Sequence, residues 1–148
     1  MKKIDDLLEP ALALAAEYLL EDGKMDRRSN SDISSFGTAI MQCGLIPAVA
    51  MYSNVNSDAG KRHLKMLYVI FALLRPDENG GTPTVDEIEK TTRVETDHPL
   101  FLNMLLDKGV DRDKTELVKW RRNTMQACIA LKLAVRTFRL EEVHDERS

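Results

Sequence analysis

Between residues 4 and 21 apolar side chains recur at Ile4, Leu8, Leu12, Ala15 and Leu19, and Leu7, Ala11, Tyr18 and Leu20 widen the stripe. Spacings of three and four predict a helix. Pro10 has no N–H to give, so this helix starts near it or bends there. Glu21-Asp22-Gly23 reads as its stop, and Lys24 to Asn30 as a polar loop carrying Arg27 and Arg28. Ser31 or Asp32 caps a second helix with Ile33, Phe36, Ile40 and Met41 on one face, closed by Gly44. Leu45, Ile46, Val49 and Tyr52 form a short third helix, with Pro47 in the first turn, where a missing N–H costs little. A fourth starts at Ser57 or Asp58 and runs to about Arg75. Its middle, Met66 to Leu74, is apolar on every side, which places it centrally.

Pro76 to Pro83 is turn-rich, and Thr84 with Glu87 makes a capping box that opens a short acidic helix. His98-Pro99 opens another through Leu106, ending near Gly109, before a long last helix from about Arg112 to Glu142. No segment alternates with period two, and no internal repeat is present. The expectation is an all-α, single-domain bundle of six to seven helices over residues 1–142, with a central apolar helix and a long basic C-terminal one. Residues 143–148 read as a charged, disordered tail.

Composition adds little to this picture. With 43% apolar and 30% charged residues in 148, the chain can bury a core without disulfides or a metal. Cys43 and Cys128 both fall in apolar helical patterns and read as small core residues, two isolated thiols suited to a reducing cytosol. The longest apolar run is too short for a bilayer, and Asp5 and Asp6 stand where a signal peptide would be apolar. These features predict a cytoplasmic protein without a membrane partner. His63, His98 and His144 share no ligand spacing with one another or with the cysteines. There is no glycine-rich phosphate loop and no Ser/His/Asp grouping. Asp86, Glu87 and Glu89 suit the acidic first turn of a helix. The reading is a binding protein rather than an enzyme, with no metal and no cofactor.

Charge distribution changes the picture most. Residues 112–140 hold eight Lys/Arg against two Asp/Glu, while residues 1–111 hold twelve against eighteen. On the last helix Leu117, Trp120, Thr124, Ala127, Cys128, Leu131, Ala134, Val135 and Phe138 share an apolar face. Lys114, Arg121, Arg122, Lys132, Arg136 and Arg139 fall on an adjacent stripe about 100° wide, with Val118, Met125 and Ile129 among them. A solvated face is one explanation, but such faces mix both signs, and no acid lies between Lys119 and Leu140. Six cations side by side repel one another unless an anion faces them, and a phosphodiester backbone is the natural one. Lys61, Arg62, His63 and Lys65 form a second cluster in a first helical turn, where cations oppose the helix dipole unless nearby acids offset them. Arg27 and Arg28 are a third, weaker candidate.

Three stretches resemble the small α-helical subunit of type III-B CRISPR effector complexes, the Cmr small-subunit family. They are Ala-Ala-Glu-Tyr-Leu-Leu at 15–20, the stretch Ser35-Phe-Gly-Thr-Ala-Ile-Met-Gln-Cys-Gly-Leu-Ile-Pro-Ala-Val-Ala-Met51, and the closing helix from Leu117-Val-Lys-Trp-Arg-Arg through Phe138-Arg-Leu-Glu-Glu142. The second is similar to the family's helix, Asn-Gly-Leu and helix; Gly44-Leu45 match it, and Cys43 stands in place of the asparagine. The resemblance implies a non-catalytic part of an antiviral ribonucleoprotein. Copies of the chain would stack beside the guide RNA–target RNA duplex, next to other subunits of the effector complex, with the target RNA backbone along their basic face. Base pairing would then carry the sequence recognition.

Two other classes compete. Residues 84–94 followed by 100–109 have the cadence of a helix-turn-helix DNA binder, although residues 84–110 hold three Lys/Arg against six Asp/Glu. A purely protein-binding helical adaptor would dock the basic stripe on an acidic partner.

Overall fold

A computed structural model of the chain describes residues 4–21, 23–53, 58–74, 102, 105–106 and 109–147. Its elements run α1 (Ile4–Tyr18), β1 (Leu20–Glu21), β2 (Lys24–Met25), α2 (Arg27–Cys43), α3 (Leu45–Tyr52), α4 (Asp58–Leu74), a 3-10 turn (Val110–Arg112) and α5 (Lys114–Arg147). The fold is all-α, with five α-helices among the described residues rather than six or seven. The acidic helix expected from residue 84 lies outside the described residues. Of the one expected over 98–106, only Leu102, Leu105 and Leu106 are described, and Leu105 is fully buried.

The first helix buries Leu7, Ala11, Leu14 and Ala15 and continues across Pro10, whose missing N–H leaves the Asp6 carbonyl without that donor. The expected stop at 21–23 is a tight hairpin. Leu20 pairs with Met25 and Glu21 with Lys24. Gly23 adopts a φ of +76°, which a residue without Cβ takes at no steric cost.

The second helix begins earlier than the sequence pattern indicates. Asp26, not Ser31 or Asp32, is its N-cap, and its carboxylate accepts from the Arg28 backbone N–H at 2.8 Å. Ser29 and Asp32 lie on the buried face of α2 with Ile33, Phe36, Gly37 and Ile40. Arg27 and Arg28 therefore open a helix instead of decorating a loop. Gly44, at a φ of +94°, ends α2 by donating its N–H to the Ile40 carbonyl at 2.9 Å and leads into α3.

Helix α4 buries Leu64, Met66, Leu67, Val69, Ile70, Ala72, Leu73 and Leu74, and packs against α1, α2, α3 and α5. Its apolar middle is central, as the sequence indicates. Tyr68 meets Tyr18 edge to face, ring centroids 5.1 Å apart. Asp113 caps α5, accepting from the backbone N–H groups of Thr115 at 3.0 Å and Glu116 at 3.3 Å. The helix does not end near Glu142 but continues to Arg147, because residues 143–147 contain no proline or glycine to stop its propagation.

The two cysteines part company. Cys128 is buried, and burial pushes its thiol up to about 12. Cys43 is exposed, contrary to the core role its apolar neighbours imply: it lies seven residues beyond Phe36 on the same face, but it is the last residue of α2, past buried Ile40. Among the described residues no helix is long and apolar enough to cross a membrane.

Candidate nucleic-acid interface

The packing of α5 decides where its cations point. Thr124, Ala127, Cys128, Ala130, Leu131, Ala134 and Val135 are buried, and Leu117, Trp120, Met125 and Phe138 are half-buried against the core. This is the apolar face read from the sequence, with Ala130 added. Thr124 is satisfied inside it by donating its hydroxyl to the Trp120 carbonyl at 2.6 Å.

Lys114, Arg121, Arg122 and Arg136 are exposed, and Lys132 and Arg139 are half-buried. None of these six makes an ion pair among the described residues. Met125 orients the stripe, because it turns toward α2: a Cβ built on Gly37 would lie 3.8 Å from the Met125 methyl. At about 100° per residue, Lys114, Arg121, Lys132 and Arg139 fall about 20–40° to one side of Met125, the side of buried Cys128, on that α2-facing edge. On the other side of Met125 lie Val118 and Arg136 at about 20°, Ile129 at about 40°, Arg122 at about 60° and Leu133 at about 80°, a ridge on which Val118, Ile129 and Leu133 are exposed. The single stripe of the sequence is thus two features, a cationic edge and a mixed ridge. Leu133 belongs to the ridge and was not among the expected residues; it stands one turn beyond Ile129, a spacing that charge alone does not reveal.

The weaker clusters come together in space around two carboxylates. Arg28 donates to Asp26 from Nε at 3.1 Å and from a terminal nitrogen at 2.9 Å. Those bonds hold the Asp26 carboxyl down at about 2. Arg62 grips Asp32 with two bonds, one of them from its Nε and the other at 3.1 Å, and His63 Nε2 lies 3.3 Å from the same carboxylate. The bond to Asp32 raises the Arg62 pKa further, and Asp26 and Arg28 are near enough to act on its charge. Among the described residues, Asp32 on α2 is therefore the acid set against Arg62 and His63 near the start of α4. Tyr52 packs on the His63 ring at 4.6 Å and on Phe36 at 5.2 Å, which closes the cluster; burial raises its phenol pKa.

Arg28 and Arg62 are thus committed to protein carboxylates. Lys65 is half-buried, the Lys61 side chain lies outside the described residues, and Arg27 is exposed at the start of α2. Of the expected anion-binding residues, the ones left open together are those of α5. Among the described residues no group of three or more His, Cys, Asp and Glu could hold a metal ion. The residues behind the helix-turn-helix alternative lie almost wholly outside those described. No protein-family model, curated protein or solved structure matches the chain.

Proposed function

We propose that this chain is a non-catalytic RNA-holding subunit, of the kind its resemblance to the type III-B small subunits implies, and that the α2-facing edge of α5 carries the RNA backbone. The observation behind this reading is one row of cations, Lys114, Arg121, Lys132 and Arg139, on a helix whose opposite face is locked into the core. Guanidinium and ammonium groups with no carboxylate partner among the described residues are available to neutralise phosphates and release counterions. A rigid helix spaces them without ordering cost at the moment of binding. Such contacts position a strand and leave its sequence to base pairing.

The test is binding of a labelled 20-nucleotide single-stranded RNA, alone and with guide-loaded effector subunits, across a salt series. Four phosphate contacts correspond to a slope of log K against log salt of roughly −3 for a single strand. Arg121→Glu, Lys132→Glu and Arg139→Glu together should weaken binding at least tenfold while leaving helical circular dichroism intact. Undiminished RNA binding by that variant overturns the proposal. Tight, sequence-specific binding to duplex DNA would replace it with the helix-turn-helix reading.

A further inference from the structure

The ridge beside the cationic edge calls for a different ligand. Val118, Arg122, Met125, Ile129, Leu133 and Arg136 follow one another at spacings of three and four, which keeps them on one face of α5 for about 27 Å. Val118 is 55% exposed, Ile129 42% and Leu133 40%, while Met125 roots the row in the core. Three aliphatic side chains in water on a helix that had polar alternatives are unfavourable by the hydrophobic effect. Phosphates give nothing back for covering them. A partner helix does, because its own apolar stripe buries them turn by turn.

Charge on the ridge narrows the partner. Arg122 and Arg136 stand in the row itself and make no ion pair among the described residues. A second copy docking through the same ridge would set arginines near arginines and add the cations of the adjacent edge, so like charge opposes self-pairing. An acidic helix gains at every one of these positions.

We infer that the Val118–Arg136 ridge of α5 is a docking surface for an amphipathic helix of another protein, with an aliphatic stripe bordered by carboxylates. This surface adjoins the RNA edge on the same helix.

The probe is a labelled synthetic 25-residue helix with leucines along one face and glutamates on both borders, measured by fluorescence anisotropy at 150 mM salt. The expected result is saturable binding that falls at least tenfold with Ile129→Ser plus Leu133→Ser, and falls likewise with Arg122→Glu. A peptide carrying lysines in place of the glutamates should not bind. All these substitutions are at exposed positions, and Arg122→Glu carries the same test if the double serine variant loses helicity. Three results overturn the inference: no peptide binding, peptide binding indifferent to the serine substitutions, or a self-associated chain that the serine substitutions convert to monomer. Loss of RNA binding in the serine variant, with peptide binding kept, overturns it as well, because it would assign the ridge to bases.

Discussion

Asp26 serves at once as the N-cap of α2 and as the partner of Arg28. The pairing needs the ionised carboxylate and the cap gains from it, and its folded pKa is lowered from 3.8 to about 2. A depressed carboxylate contributes stability that is complete above the unfolded pKa, near 4, and lost as pH falls through the folded one. Asp26→Asn keeps a capping oxygen and removes the charge. At pH 7 the variant should be less stable by up to about 1 kcal/mol, the worth of a largely exposed pair. That deficit should shrink between pH 4 and pH 2 in urea unfolding followed across pH. A deficit that stays constant down to pH 2 would show that the charge contributes nothing. Asp32 belongs to the same scale but to a drier setting. Set between Arg62 and His63, it joins α2 to α4, and removing it would leave a half-buried guanidinium without its carboxylate.

At the scale of elements, the α2–α5 contact is where packing can be improved. Gly37 is buried in the middle of α2 without a positive φ, and an added Cβ would meet only the flexible end of Met125 at an ordinary 3.8 Å. Gly37→Ala should therefore stabilise the chain by about 0.5–1 kcal/mol, read as a rise in thermal midpoint of about 2 °C. A fall would mean that the two helices sit closer than this geometry allows. The elements differ in how far the sequence discloses them. Helices α1, α3, α4 and α5 are legible because each buries a regular apolar stripe. The start of α2 is not, since Ser29 and Asp32 are polar residues facing inward, and the reason, Arg62, lies thirty residues away. The hairpin is two residues per strand, too short for any period-two pattern. On α5 the cations were legible because no acid interrupts them between Lys119 and Leu140. Dividing them into edge and ridge required knowing that Met125 faces Gly37, and withdrawing Arg28 and Arg62 required seeing their carboxylates.

For the whole molecule, one helix ties the bundle together. Helix α5 packs on α1, α2, α3 and α4, on β2 and on the 3-10 turn, so its buried face is covered from several sides at once. Cys128 sits on that face between Thr124 and Leu131, its thiol held neutral by burial, with a pKa of about 12. Exposing it means separating α5 from the helices over it, which is most of unfolding rather than local fraying. Cys43 needs no opening at all. Iodoacetamide at pH 8 should therefore label Cys43 promptly and Cys128 slower by on the order of 10³-fold or more, the scale set by the stability of an ordinary domain. Urea below the unfolding midpoint should speed only the Cys128 reaction, with a denaturant slope approaching that of global unfolding. Labelling of both thiols at one rate would mean that the C-terminal helix detaches on its own. A detachable α5 could not present its cationic edge and its ridge as fixed surfaces, so this measurement also tests the rigidity that both proposed binding surfaces require.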